Sequence, residues 1–123
     1  MTTATLSIAK KSLNSPDEVR TFDKGKAEIA KFGEATVAKL TAQPGWKWSE
    51  CIKPLAKTES CEVSHFGYVI SGHMKVVMND GSSVEVGPND AYVFPPGHDA
   101  WVVGEEPCVI VDCGGFNNYA KTK

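Results

Sequence analysis

The stretch that decides the fold runs from Ser60 to Trp101 and reads S-C-E-V-S-H-F-G-Y-V-I-S-G-H-M-K-V-V-M-N-D-G-S-S-V-E-V-G-P-N-D-A-Y-V-F-P-P-G-H-D-A-W. It consists of short runs rich in Val, Ile, Tyr and Phe. Turn-forming residues separate these runs at Gly72, Asp80-Gly81, Gly87-Pro88-Asn89-Asp90 and Pro95-Pro96-Gly97. This punctuation is typical of a meander of antiparallel strands.

Asp80-Gly81 gives the strongest local prediction within this stretch. The pair lies between the strand-like runs 74–78 and 84–86. A two-residue hairpin loop needs positive φ angles, which an Asp-Gly pair adopts readily. We therefore expect a β-hairpin whose tip is at Gly81.

The rest of the chain continues the strand pattern. Residues 24–43 contain good helix formers but also alternate between apolar and polar positions. Gly33-Glu34 in the middle would weaken a helix by about 1 kcal/mol and supplies a turn, so the segment is predicted as two strands. Further strands are predicted at 91–94, 100–103 and 108–112. The pattern as a whole predicts an all-β barrel or sandwich of about eight to ten short strands.

The length of 123 residues is that of one domain, which we expect to occupy residues 25–123. Residues 1–24 are predicted to form an irregular N-terminal arm, because their first part is rich in Ser, Thr and Lys and short of large apolar side chains. Ser15-Pro16 could begin one helical turn, with Ser15 as the N-cap.

Composition and charge exclude several classes of function. The net charge is −2 and the Lys and Arg residues are spread along the chain, so no basic face is available for nucleic acid. No segment approaches the roughly 20 apolar residues that span a bilayer. The start of the chain lacks the apolar core of a signal peptide, which favours a cytoplasmic location.

The four cysteines are Cys51, Cys61, Cys108 and Cys113, and they include neither a C-x-x-C pair nor the spacing of a zinc finger. Free thiols are predicted, since a reducing compartment is expected. Cys108 and Cys113 lie an odd number of positions apart and would point to opposite faces of one strand.

Trp46 and Trp48 follow a Pro-Gly break and have two interpretations. They cap one end of the hydrophobic core, which suits indoles because they bury a large area and still find a partner for the N–H. Alternatively, they form a wall of a ligand cavity. The sequence leaves both open.

Several of these motifs resemble the two sequence blocks of the cupin superfamily. The similar elements are Gly67-Tyr68-Val69-Ile70-Ser71-Gly72, the hairpin at Asp80-Gly81, Gly87-Pro88-Asn89-Asp90-Ala91 and Pro95-Pro96-Gly97-His98. The resemblance covers roughly residues 45–112 and implies a cupin-type double-stranded β-helix or jelly-roll barrel. Cupins have many activities, so the resemblance by itself does not imply a reaction.

The resemblance also indicates where a metal would be held. The usual first block has a His-x-His pair followed by Glu, and counting back from Gly72 places these three positions at Glu59, Cys61 and His65. The last His of the second block corresponds to Ala100, and His98 lies two residues earlier. The chain therefore offers an altered set of candidate ligands: Glu59, Cys61, His65 and His98.

Residue parity supports this set of ligands independently of the family. Residues 59, 61 and 65 would point to one face of a continuous strand. A carboxylate, a thiolate and two imidazoles suit Zn²⁺ best, followed by Fe, Mn or Ni. The alternative is structural: Cys61 is a small buried apolar residue, the histidines bond within the fold and Glu59 lies in solvent.

Two functions follow as hypotheses, beside a third class, a structural or interaction module that assembles through its sheets and N-terminal arm. The first is a small cupin that binds a small molecule in its barrel, with a divalent metal as one means of holding it; the predicted pocket residues are Tyr68, Met78, Asp99 and Trp101. The second is a metal-dependent cupin enzyme of dioxygenase, isomerase or lyase type that uses a Cys/His metal site. By resemblance the expected partners are a small-molecule ligand and a second copy in a homodimer, with neither nucleic acid nor membrane.

Overall fold

The computed structural model describes residues 8–33 and 35–114. Within these ranges the chain forms nine strands and two short helices. In chain order they are β1 (Glu18–Phe22), β2 (Gly25–Phe32), β3 (Ala35–Ala42), α1 (Trp48–Cys51), α2 (Lys53–Ala56), β4 (His65–Ser71), β5 (His73–Met78), β6 (Ser83–Val86), β7 (Ala91–Phe94), β8 (His98–Val103) and β9 (Cys108–Cys113).

The strands form two antiparallel sheets. The larger has the order β1-β2-β3-β9-β4-β7 and the smaller has the order β6-β5-β8. Strands β4 and β9 are neighbours although they are far apart in sequence, and Gly67 of β4 lies opposite Asp112 of β9. The predicted all-β fold of jelly-roll type is confirmed.

One hydrophobic core lies between the sheets. Strand β3 alternates between buried and less buried residues from Thr36 to Ala42, and β8 does the same from His98 onward. This alternation arises because successive side chains of a strand point to opposite faces. The inward side chains of both sheets meet in one cluster that includes Ala27, Ile29, Leu40, Val69, Val76 and Ile110.

The two strands predicted between residues 24 and 43 are confirmed as β2 and β3. They pair in register from Gly25 opposite Ala42 to Phe32 opposite Ala35. Gly33 adopts a φ of 63° at the turn, a conformation that glycine adopts without steric cost. Glu34 lies outside the described residues.

The prediction of an irregular arm over residues 1–24 was wrong for its second part. Residues 18–22 form β1, which pairs along its whole length with β2. The strand lacks the usual pattern of inward apolar residues, because its inward residue is Arg20. The buried Arg20 side chain is paired with Glu18 at 2.6 Å. The helical turn expected at Ser15 is replaced by a turn in which the Ser15 N–H bonds the Ser12 carbonyl. Residues 1–7 lie outside the described ranges.

The hairpin between β5 and β6 is present, but its loop differs from the prediction. The Met78 N–H bonds the Ser82 carbonyl, so the loop contains three residues rather than two. Only Gly81 has a positive φ, at 93°. The Asp80 carboxylate accepts hydrogen bonds from the Ser82 backbone N–H and hydroxyl, which hold the loop together.

The segment after Trp46, expected to be a loop, contains the helices α1 and α2. Each has four residues, and Pro54 lies in the first turn of α2, where its missing N–H costs nothing. No helix in residues 8–33 and 35–114 is long and apolar enough to cross a membrane.

Candidate metal centre

Cys61, His65 and His98 come together inside the jelly roll. One ligand atom from each lies within 4.8 Å of the ligand atoms of the other two. All three side chains are buried. The sequence prediction that these three residues share one enclosed space is therefore matched by their positions.

Local backbone pairing explains this convergence. Cys61 forms an isolated antiparallel bridge with His98, in which the Cys61 N–H bonds the His98 carbonyl at 2.8 Å. His65 begins β4 and lies opposite Phe94 of β7. The ring centroids of His65 and His98 are 5.4 Å apart, so the two imidazoles approach each other from opposite sheets.

Each histidine ring is oriented by a partner at its Nδ1 atom. His98 Nδ1–H donates to the Pro95 carbonyl at 2.7 Å. His65 Nδ1–H donates to Asp112 Oδ2 at 2.5 Å. The opposite ring nitrogen of His65, Nε2, lies 3.6 Å from Cys61 Sγ.

Asp112 is held in turn by a second partner. Its side chain is fully buried, and the Tyr92 hydroxyl donates to Oδ1 at 3.0 Å. Burial and the neighbouring Asp112 charge raise the pKa of Tyr92, so its hydroxyl keeps its proton. The Tyr92 ring also stacks on Phe94 at 4.2 Å between centroids, which fixes the aromatic wall beside both histidines.

The charges of the cluster favour a thiolate beside an imidazolium. Burial by itself would raise the pKa of Cys61, but hydrogen bonds from His65 and His98 outweigh it and lower the pKa to about 7. Burial likewise opposes a charged His65, but the bonds to Asp112 and Cys61 raise its pKa to about 9. A buried thiol that ionises readily is a good metal ligand, since the thiolate is the form that binds metals.

A small cavity adjoins the three side chains. Apart from them it is lined by Leu40, Trp46, Trp48, Met74, Phe94, Ala100 and Ile110. The space open to the centre of a water molecule is about 20 Å³. This is slightly more than the roughly 10–15 Å³ that one water needs, so the cavity has room for a few atoms at most.

Trp46 and Trp48 form part of the cavity wall. Residues 46–48 run beside β8, where Lys47 bridges to Trp101 and the Val102 N–H bonds the Trp46 carbonyl. Trp46 and Trp48 share a parity and point inward, and both rings are buried. Both interpretations of these residues hold, since the two rings belong to the hydrophobic core and also line the cavity.

The distance between Cys61 and His65 suits two ligands of one metal ion. With Zn–S near 2.3 Å and Zn–N near 2.05 Å, two ligands at a tetrahedral angle are about 3.5 Å apart. The distance of 3.6 Å between Cys61 Sγ and His65 Nε2 agrees with this value. The partners of both Nδ1 atoms are of the kind that orient metal-binding imidazoles.

Glu59 does not belong to the cluster. Its side chain is 97% exposed and pairs with Lys53 at 3.2 Å. The parity argument failed here because residues 58–60 form a bend rather than a continuous strand. The prediction of Glu59 as a ligand is therefore corrected.

The four predicted pocket residues lie outside the cavity. On β4 and β8 the inward positions are those of His65 and His98, so Tyr68, Asp99 and Trp101 have the opposite parity. Tyr68 is exposed, and Trp101 lines a surface depression with Lys47, whose Nζ lies 5.3 Å from the ring centroid. Met78 lines a separate depression between β6 and β7.

Asp99 has a structural role that the sequence did not reveal. Its carboxylate accepts hydrogen bonds from the Ser49 N–H at 3.0 Å and from the Ala100 N–H at 2.8 Å. Ser49 lies in the first turn of α1, so this bond ties the helix that carries Trp48 to β8.

Asp112 is the site residue that the sequence analysis missed. The signal was a carboxylate in the otherwise apolar run C-V-I-V-D-C, at the same parity as the buried Cys108 and Ile110. A buried carboxylate needs a partner, so an inward Asp predicts a nearby His, Arg or hydroxyl.

All four cysteines are unpaired in the structure, as predicted. Cys108 faces the core and Cys113 faces the outer surface, so these two do not meet.

Comparisons with known proteins bear on the fold and the family. A model of the family described as "Cupin domain" matches residues 52–114, just over half of the chain. A search of curated proteins found no significant sequence match.

Many solved structures resemble this fold, among them the following three. A protein of unknown function from Rhizobium leguminosarum bv. viciae 3841 has a TM-score of 0.62 at 19% identity, covering 89% of this chain and 97% of that one. The polyketide cyclase RemF from Streptomyces resistomycificus has a TM-score of 0.61 at 16% identity, covering 88% and 79%. The oxalate decarboxylase of Lactobacillus farciminis has a TM-score of 0.59 at 21% identity, covering 80% of this chain and only 30% of the decarboxylase.

At these identities the structural likeness establishes the fold and leaves the activity open. The family match lies on the segment that carries the three converging side chains, the whole of the smaller sheet and three of the six strands of the larger one. The chain belongs to the cupin family.

Proposed function

We propose that this protein binds one divalent metal ion through Cys61, His65 and His98, and that the ion holds a small molecule in the interior of the jelly roll. The observation that carries the proposal is the convergence of the three ligand atoms within 4.8 Å. The orientation of both imidazoles supports it, since each directs Nε2 toward the thiol.

The donor set favours zinc. A thiolate and two imidazoles match the mixed sulfur and nitrogen shells of Zn²⁺, and sulfur makes Mn and Fe weaker candidates. The Mn(II) centres of the oxalate decarboxylase of Bacillus subtilis illustrate a divalent metal in a protein of this fold. Three protein ligands leave one coordination position of a tetrahedral ion open toward the cavity.

Catalytic zinc sites typically have three protein ligands and one open coordination position. We therefore propose, more specifically, that the protein is an enzyme. A bound zinc ion would supply a Lewis acid that polarises an oxygen of the bound molecule. Asp112 fixes the His65 tautomer, and the apolar walls at Leu40, Phe94 and Ile110 exclude bulk water from the ligand position. We infer a metal-dependent lyase or isomerase in preference to a dioxygenase.

Metal analysis of the full-length protein tests this proposal. Protein purified without chelator and dialysed against zinc is expected to bind one equivalent. Cys61→Ser, His65→Ala and His98→Ala should each reduce the bound zinc by at least tenfold at a fixed free concentration. His73→Ala is the matched control, because His73 is exposed and lies outside the cluster. Less than a tenth of an equivalent in the wild type, or equal zinc in all four variants, would contradict the proposal.

We also propose that a second copy of the chain covers the outer face of the larger sheet. The large apolar side chains Phe66, Tyr68, Ile70 and Val93 are all exposed there. The outward positions of β4, β7 and β9 contain no charged residue, so two copies of this face can pack without charge repulsion. A homodimer with twofold symmetry uses one such patch twice.

A further inference from the structure

A row of three residues crosses the larger sheet beside the candidate metal centre. Gly67 of β4 lies opposite Tyr92 of β7 on one side and opposite Asp112 of β9 on the other. Tyr92 and Asp112 are both buried, and the whole width of β4 separates their backbones. The Tyr92 hydroxyl nevertheless donates a hydrogen bond to Asp112 Oδ1 at 3.0 Å.

Gly67 makes room for this hydrogen bond across the middle strand. Neighbouring strands lie about 4.8 Å apart, so the backbones of Tyr92 and Asp112 are about 10 Å apart. A tyrosine side chain bridges most of this distance if no side chain of β4 comes between the two residues. Gly67 has no side chain, so the hydroxyl reaches the carboxylate.

The Asp112 carboxylate depends on two side-chain donors among the described residues. Its oxygens are fully buried, and each has one donor: the Tyr92 hydroxyl bonds Oδ1 and the His65 ring bonds Oδ2. Leaving a buried acceptor unpaired is costly, so a carboxylate without the Tyr92 bond would turn about its Cβ–Cγ bond in search of another donor. That rotation would withdraw Oδ2 from His65.

The packing of the Tyr92 ring does not account for its hydroxyl. The ring stacks on Phe94 with 4.2 Å between centroids and 7° between planes. Phenylalanine would stack equally well at this position, since stacking involves only the ring. The hydroxyl adds a bond to the carboxylate that orients His65, so substitution by phenylalanine separates the two roles.

We propose that Tyr92 is a positioning residue of the metal centre, whose hydroxyl holds Asp112 in the orientation that fixes the His65 ring as a ligand. This inference rests on the proposed metal site and deepens it. Control of metal affinity then extends to a residue that is connected to His65 through two successive hydrogen bonds.

The zinc affinity of Tyr92→Phe tests this inference, by competition of the full-length protein with a chelator of known affinity. The variant should bind zinc about three- to tenfold more weakly than the wild type, because a misplaced Asp112 supports His65 less well. Tyr68→Phe is the matched control and should bind zinc as the wild type does. Tyr68 is exposed and lies on the opposite face of β4 from His65.

An Asp112→Ala background distinguishes positioning from a general loss of stability. This substitution removes the connection between Tyr92 and His65. Adding Tyr92→Phe to it should therefore change zinc affinity by less than about twofold, because the two substitutions act through one network. An equal loss in both backgrounds would show that the hydroxyl acts by another route and would overturn the inference.

The wild type provides a further readout. The chain has three tyrosines, Tyr68, Tyr92 and Tyr119, which can be isotope-labelled at the ring carbon that bears the hydroxyl. Zinc should move the Tyr92 signal in a saturable manner, since metal binding at His65 alters the bond that Asp112 shares with both residues. The Tyr68 signal should stay in place. Tyr68→Phe and Tyr119→Phe assign the other two signals, so this test stands even if Tyr92→Phe does not fold.

The outcomes separate this inference from the proposal beneath it. The zinc content of the wild type is measured first, and a wild type that binds no zinc contradicts the metal site and the inference together. If the wild type binds zinc but Tyr92→Phe binds it equally well, or the Tyr92 signal does not respond to zinc, the inference is wrong and the metal site stands.

Discussion

Asp112 and His65 form a hydrogen bond of 2.5 Å between two buried side chains that lie 47 residues apart in the sequence. Their strands β4 and β9 are neighbours in the larger sheet. This bond directs His65 Nε2 toward Cys61, so the carboxylate acts on the candidate metal site without touching the metal position.

Asp112→Asn should weaken zinc binding by about 10- to 100-fold, because the amide keeps the shape of the side chain but removes the charge that supports His65 as a ligand. The measurement is competition with a chelator of known affinity. Asp90→Asn is the control, since the Asp90 carboxylate bonds the Gly87 N–H in a turn away from the cavity. Equal zinc affinities for Asp112→Asn and the wild type would show that the Asp112–His65 hydrogen bond does not affect metal binding.

Gly67→Ala should destabilise the protein by at least about 2 kcal/mol. A Cβ atom at this position would lie 1.9 Å from the Val111 carbonyl oxygen, so β4 would have to move away from β9 and His65 away from Asp112. Zinc affinity should fall as well.

Gly81→Ala is the comparison for this substitution. Gly81 has a φ of 93°, but its Cβ would meet nothing within 4 Å, so only backbone strain of about 1–2 kcal/mol is expected and zinc affinity should be unchanged. Chemical denaturation of the two variants measures the difference. A Gly67→Ala protein as stable as the wild type would contradict the close approach of the strands.

Glu18 should make the stability depend on pH in the acidic range. Hydrogen bonds from Arg20 and from Lys31 lower its pKa from the ordinary 4.5 to about 2. Since the folded-state pKa is depressed, the stabilisation is fully present above about pH 4.5 and is lost as the pH falls toward 2.

Glu18→Gln should therefore cost about 1 kcal/mol at pH 7, the value typical of a partly exposed ion pair, and close to nothing at pH 2. Urea denaturation at both pH values measures this difference. The exposed Glu105→Gln should change stability at neither pH. A constant difference between wild type and Glu18→Gln across the range would contradict the prediction.

Phe66→Glu should convert a dimer to a monomer if the outer face of the larger sheet is the interface. The substitution places a charge in the middle of an exposed apolar patch, opposite Val93 of β7. Light scattering after size-exclusion chromatography gives the mass of each species. Val84→Glu, on the exposed face of the smaller sheet, should leave the mass unchanged. A wild-type monomer at all concentrations would rule out the homodimer.

The sequence by itself determined most of the strands, although not β1, and the family. Three features can be recognised from the sequence alone, because each depends only on residues that are close in the chain. They are the alternation of β2 and β3, the glycines and prolines between residues 60 and 101, and the cupin-like blocks. The cupin-like blocks also placed Cys61, His65 and His98 among the candidate ligands, and the three side chains do lie together.

Only the tertiary structure decided which residues surround that space. Glu59 failed as a ligand because a bend interrupts its strand, and Tyr68, Asp99 and Trp101 failed as pocket residues because the inward parity of β4 and β8 is set by packing between the sheets. Asp112 became recognisable as a site residue only when β9 was placed beside β4 and the carboxylate reached His65. The physical reason is that local pattern fixes the period of a strand, whereas long-range pairing fixes its neighbours and its register.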